Sequence, residues 1–172
     1  MLTIGTIFLY GESGVCRVED IHRETFHGQE REYYVLKPVY NGSSTIHVPV
    51  DSPVLKERMR PILTQEEVLE LAQCAPQQEA YWISNDAQRG EHFKEILSEC
   101  NRLEILRMLK SVHLHRRELI SNGRHLRAAD ENVMRRAEKI VREEVALVMD
   151  MNPDEVMTYL FENEKRPAAA KS

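Results

Sequence analysis

The chain has 172 residues, 42% hydrophobic and 30% charged, with a formal net charge of −5. That length accommodates one sizeable domain or two small ones, and the negative balance excludes a protein that coats nucleic acid indiscriminately. Three cysteines, Cys16, Cys74 and Cys100, are too widely spaced for a disulfide framework or a zinc knuckle, so a reducing cytoplasm is the expected compartment. Met1-Leu2-Thr3-Ile4-Gly5 has no basic, apolar leader character, and no window approaches the ~18 apolar residues of a membrane span. A soluble, non-exported protein is expected.

From the start to about residue 52 the pattern is that of strands. Thr6–Tyr10 is a short β-rich run closed by Gly11-Glu12-Ser13-Gly14, and Val15–Phe26 is a second, with apolar and charged residues partly alternating. His27-Gly28 predicts a tight turn, Glu32–Tyr40 a third strand, and Asn41-Gly42-Ser43-Ser44 a further turn before Thr45-Ile46-His47-Val48-Pro49-Val50. Short strands joined by tight turns over ~50 residues predict a small SH3/Tudor-like β-barrel. Pro49 lacks an amide donor, which places its strand at an edge or ends it there.

From about residue 60 the period changes to that of helices. Thr64 and Glu67 form a capping-box signature for a helix through Ala72, which Pro76-Gln77-Gln78 breaks. Ser84, Asn85 or Asp86 caps the next helix, with Phe93, Ile96 and Leu97 on one face. Asn101 and Glu104 open a third, with Ile105, Leu106, Leu109 and Val112 as its stripe. A fourth runs from about Ala128 to Met149 with apolar residues at three- and four-residue spacing. Asn152-Pro153 opens a short last helix. The expected organisation is α+β: a β-barrel over 1–60, an all-α domain over 61–164 and a flexible tail over 165–172.

Charge is unevenly distributed along the chain. Between Cys100 and Arg127, seven basic residues stand against two glutamates, whereas from Glu138 to Arg166 four basic residues stand against eight acidic ones. Any phosphate contact should therefore be local. Lys110, Arg116 and Arg117, together with Arg107, predict a cationic helix surface, and Gly123-Arg124-His125-Leu126-Arg127 predicts a loop that phosphate can approach. Beside this segment stands Trp82, the only tryptophan. General burial statistics read Tyr81 and Trp82 as a core cap, while the cationic neighbours read Trp82 as a wedge against DNA.

Catalytic patterns are absent. His113 and His115 lie two apart on a helix, roughly 200° around its axis, and read as part of a solvated basic face rather than a metal grip. Glu91-His92 lacks the H-E-x-x-H spacing, and no glycine-rich phosphate cradle occurs. Ser13 lies in a hairpin-like turn rather than a nucleophile elbow. No enzyme activity, cofactor or metal is expected.

Taken in order, these features resemble the CarD family of bacterial transcription regulators over nearly the whole chain. The first half carries Gly14-Val15-Cys16-Arg17-Val18, Gly28-Gln29-Glu30-Arg31-Glu32-Tyr33-Tyr34-Val35-Leu36-Lys37 and Thr45-Ile46-His47-Val48-Pro49-Val50. The second carries Trp82-Ile83, Arg89, Phe93-Lys94-Glu95-Ile96-Leu97, Gly123-Arg124-His125-Leu126, Asp130-Glu131 and Arg136-Ala137-Glu138-Lys139. The resemblance implies that the barrel docks on the RNA polymerase β subunit through a strand edge comprising Thr45, Ile46, His47, Val48 and Pro49. It also implies that the helical domain contacts promoter DNA upstream of the −10 element, with Trp82 wedged at the edge of the melted bubble and Arg89, Arg124 and His125 contacting phosphate. His47 stands where some members have arginine, and Arg127-Ala128 where relatives often show a serine cap. Acidic Glu91 lies near the wedge, and the tail at Lys165-Arg166-Pro167-Ala168 lacks minor-groove hooks. A similar barrel occurs in transcription-repair coupling factors, whose helicase motifs are missing here. The alternative expectation is an adaptor that binds polymerase or another protein without touching DNA; a monomer is expected on either reading.

Overall fold

The computed structural model describes residues 1–162. They fall into two compact units, one over Met1–Ile62 and the other beginning at Leu63. The tail expected over 165–172 lies outside the described residues, as does the expected boundary at 164.

The first unit contains β1 (Ile7–Tyr10), β2 (Val15–Phe26), β3 (Gln29–Pro38), β4 (Ile46–Pro49), α1 (Pro53–Arg58) and β5 (Met59–Arg60). These form one antiparallel sheet in the order β4-β3-β2-β1-β5. Phe26 pairs with Gln29, leaving His27 and Gly28 as a two-residue loop with φ of 51° and 77°. Positive φ at both positions is what a primed turn needs to follow the twist of its strands. Phe8, Tyr10, Cys16, Val18, Tyr34, Leu36, Val48 and Leu55 form the buried face. The register is irregular between Val18 and Asp20, so Asp20, His22 and Glu24 pair across to Val35, Tyr33 and Arg31 on the opposite face.

The all-antiparallel β unit matches the expected class, but its ladder does not close into the expected barrel. The two ends of the strand order are β4 and β5, and they are not hydrogen-bonded to each other. β4 has four residues and ends at Pro49, which has no donor, while β5 has only two residues. A short helix over Pro53–Arg58 lies between the strand region expected to about residue 52 and the helices expected from about residue 60. Its Pro sits at the first helical turn, where the missing N–H costs nothing.

The second unit is helical: α2 (Gln65–Cys74), α3 (Asp86–Glu99), α4 (Arg102–Ser121), α5 (Ala128–Met149) and α6 (Val156–Phe161). Local capping explains the boundaries. The Thr64 hydroxyl accepts from the Glu67 amide, and the Glu67 carboxylate accepts from the Thr64 amide. Asn85 and Asn101 accept backbone amides at the starts of α3 and α4. Gly123, at φ 69°, ends α4 with the Arg124 amide donating to Leu119 O at 2.7 Å and its own amide to Ile120 O at 3.0 Å, a Schellman arrangement. Phe93, Ile105, Leu109, Ile140, Val145 and Leu160 lie in the core these helices share.

Glu144 on α5 is fully buried, at 0% exposure. Arg102 donates to it from Nε at 3.0 Å and Nη2 at 2.8 Å, and the Leu63 amide donates to Oε1 at 3.0 Å. The carboxylate therefore joins α4, α5 and the chain entering α2. Glu144→Ala leaves Arg102 without its carboxylate and is expected to lower stability by about 3–5 kcal/mol, measured by the urea midpoint of circular dichroism.

Candidate nucleic-acid interface and docking strand

Trp82 lies in the segment between α2 and α3, where it is half-buried rather than sealed in the core. The His115 ring stacks on it with centroids 3.7 Å apart and planes 17° from parallel. Phe93 meets it edge-on at 6.4 Å, and the Arg89 guanidinium carbon lies 4.5 Å from the ring centroid. The backbone beside it is held from α4. The Tyr81 amide donates to Ser111 Oγ at 3.0 Å, whose hydroxyl donates to Arg107 O at 2.8 Å. Arg107 also donates to Glu79 O at 3.0 Å and lies over the Tyr81 ring at 4.9 Å. The indole is therefore fixed in orientation, and part of its surface remains open to solvent.

Arg89 differs from its expected role as a phosphate contact. Its side chain is only 3% exposed. Nε donates to Asp130 Oδ1 at 3.0 Å, Nη2 to Asp130 Oδ2 and Asp86 Oδ1 at 2.7 Å each, and Nη1 to Ile83 O at 2.8 Å. A guanidinium occupied by two carboxylates and a carbonyl has no free charge for phosphate. Asp130 first, and then Asp86, hold its pKa above the ordinary arginine value. Arg89 is a positioning residue for Trp82.

Lys110 also departs from the expected DNA face. Its ammonium donates to Pro76 O at 2.6 Å and Gln78 O at 2.7 Å, fixing the segment that leads to Trp82. Arg116 and Arg117 line a groove with Lys110, His113, Met157 and Phe161 beside α6. At about 100° per residue, Arg117 is roughly 200° around α4 from His115, so the groove and the Trp82 contact lie on different faces. The single cationic surface expected from sequence is thus divided. His113 and His115 diverge as their spacing requires, yet neither is merely solvated. His113 Nε2 is 2.9 Å from Glu138 Oε1, while His115 stacks on the indole.

Arg124 and His125 are exposed in the α4–α5 connection. The same connection ends at Arg127, which takes the N-cap position of α5 without a side-chain cap and instead reaches Asp86 Oδ2 at 2.6 Å. Asp86 begins α3 and also binds Arg89, and its pKa is held down by the Arg89 hydrogen bond and by Arg127. An exposed cation is thereby tethered to the carboxylate that also holds Arg89 beside Trp82. Arg127 was expected both in a loop open to phosphate and as an N-cap lacking the usual serine; its ion pair with Asp86 is set by packing. Glu91 is exposed and pairs with Lys94 at 3.0 Å, so part of its charge is offset locally.

In the first unit, β4 pairs with β3 and forms one edge of the sheet. Thr45 precedes the strand, Ile46 is half-buried against the core, His47 is exposed, Val48 is buried and Pro49 is half-buried. An exposed edge with alternate side chains outward has the geometry for strand addition. His47 Nδ1 lies 3.7 Å from Glu24 Oε1, and its ring meets His22 edge-on at 5.7 Å.

The architecture is that of a two-part α+β protein: an antiparallel β unit with an open strand edge, and a helical unit displaying one braced tryptophan. Residues 2–63 match the family described as the CarD-like/TRCF RID domain. This domain implies interaction with the RNA polymerase β subunit. The match ends where the helical unit begins. No curated protein matches the chain. Among the described residues, no helix is long and apolar enough to cross a membrane.

Arg89→Ala is expected to lower the stability of the helical unit by about 3–5 kcal/mol, because it leaves Asp130 buried without its partner. Arg124→Ala should change stability by no more than about 0.5 kcal/mol. Denaturant unfolding followed by Trp82 fluorescence measures both, and equal effects would contradict the division of roles.

A separate expectation concerns acid. The His113 hydrogen bond holds the Glu138 carboxyl below its ordinary value of 4.5. Its stabilising contribution is therefore complete above that value and is lost as pH falls through the lower folded-state value. Glu138→Gln should flatten this part of the stability–pH curve, measured by urea midpoints across the acid range.

Proposed function

We propose that this protein is a bacterial transcription regulator of the CarD type, acting in the cytoplasm without enzymatic activity. The β unit docks on the RNA polymerase β subunit by adding the β4 edge to a strand of its partner. The helical unit presents Trp82 to promoter DNA just upstream of the −10 element. The observation that carries this reading is the state of Trp82: a half-exposed indole held by His115, Phe93 and Arg89. A braced ring opposes bubble collapse better than a freely rotating one, since little conformational entropy remains to be lost on insertion.

Phosphate contacts are assigned to Arg124, His125 and Arg127, with Arg116 and Arg117 forming a separate basic flank. Arg89 and Lys110 act by positioning. A few exposed cations and one wedge give little base readout, so affinity for free duplex is low and salt-sensitive, with log–log slope rising by roughly 0.9 per phosphate neutralised. Docking on polymerase supplies the local concentration that DNA binding alone does not.

A second reading has support from the same contacts. Trp82 packs on three side chains of its own unit, as a core-capping residue would. In that case the protein is an adaptor without DNA contact.

Trp82→Ala separates the two. On the wedge reading, binding to a polymerase β fragment is unchanged while the open-complex lifetime on a promoter falls by about tenfold, equivalent to ~1.4 kcal/mol. Arg124→Glu should also shorten the lifetime, without loss of fold by circular dichroism. Lifetimes unchanged in both variants would sink the DNA role and leave the adaptor.

A further inference from the structure

The outward face of the β sheet brings together three side chains, of which His22 and Glu24 have no part in the proposed docking and DNA roles and the third, His47, lies on the docking strand β4. His22 and Glu24 are two residues apart on β2, so they project to one face. His47 on β4 pairs with Val35 of β3, which pairs in turn with Asp20 of β2, so His47 shares that face. Each residue offers a ligand atom, and all three atoms lie within 4.8 Å of one another. Glu24 Oε1 is 2.6 Å from His22 Nε2 and 3.7 Å from His47 Nδ1.

We propose that His22, Glu24 and His47 bind a single zinc ion on the outer face of the sheet. Two imidazoles and a carboxylate are the donor set of many zinc sites that keep a fourth position for water. Tetrahedral zinc with bonds of about 2.0–2.2 Å separates its ligand atoms by roughly 3.4 Å. The observed 2.6 Å and 3.7 Å separations bracket that distance. Small torsions of exposed or half-buried side chains reach it, while the paired strands hold the backbone in place.

One feature beyond the ligands favours a cation. Asp20 Oδ2 lies 3.4 Å from His22 Nδ1, the ring nitrogen not facing Glu24. A carboxylate behind a ligating imidazole orients the ring and raises its basicity. Arg31, which pairs with Glu24 in the ladder, sends its guanidinium to Asp51 at 3.5 Å. A bound ion would tie β4 to β2 across β3, fixing the edge strand from its exposed side.

This set does not follow the helix spacings of familiar zinc motifs. The signal present was His22-x-Glu24 within a strand, to which His47 is joined only by sheet pairing.

The test is calorimetric titration of zinc chloride into the untagged full chain carrying Cys74→Ser, which removes the exposed thiol as a competing ligand. The expected result is about one zinc per chain, with His22→Ala and His47→Ala each weakening binding at least about tenfold. Glu24→Gln should also weaken it, and circular dichroism should be unchanged in all three. No zinc binding, or binding that persists undiminished in a His22→Ala/His47→Ala double variant, would overturn the site. Neither polymerase nor DNA enters this experiment, so its failure leaves the proposed function untouched.

Discussion

The buried pairing of Arg89 with Asp130 is the interaction on which the setting of Trp82 in the helical unit depends. A guanidinium at 3% exposure is tolerable only because two carboxylates and a carbonyl accept from it. Those acceptors come from α3, from α5 and from the backbone immediately after Trp82. One side chain thus closes the start of α3 onto α5 and sets the indole's position. Planar, forked geometry makes this possible, since a lysine could not hold a bidentate carboxylate and a carbonyl in the same fixed directions.

Around that centre, cationic side chains divide into three kinds of work. Arg89 and Arg102 are internal, each spent on a buried carboxylate. Arg107 and Lys110 are spent on backbone carbonyls of 76–79, where they fasten an otherwise irregular segment to α4. Arg124 and His125 remain on the surface, as does Arg127 although it is tied to Asp86. The excess of positive charge along this part of the chain overstates what phosphate could meet. Much of it is consumed in fastening the segments around Trp82, and only the remainder faces solvent.

In the β unit the same sheet separates two surfaces by the simple alternation of a strand. One face buries Val18, Tyr34, Leu36 and Val48, and the other collects Asp20, His22, Glu24 and His47. The irregularity after Val18 keeps the polar set in register across β2, β3 and β4. His47 belongs both to the edge strand and to this polar face, so chemistry on the face bears directly on the edge.

Local features were legible in the sequence because local physics produces them. The strand Val15–Phe26, the turn at His27-Gly28, the caps at Thr64, Asn85 and Asn101, and the helix Ala128–Met149 follow from dihedral preference, capping chemistry and apolar period. The short helix Pro53–Arg58 was not read, as its six residues are too few to show a period. An open edge at β4 was foreshadowed by the missing donor of Pro49, whereas the failure of the ladder to close depended on how far each strand runs. What only the tertiary structure decided was which charges are free. Arg89 and Asp130 are 41 residues apart, and His22 and His47 lie on different strands. No pattern along the chain reports whether a basic or imidazole side chain faces water, a carboxylate or a ring, because that depends on which distant segments packing brings alongside it.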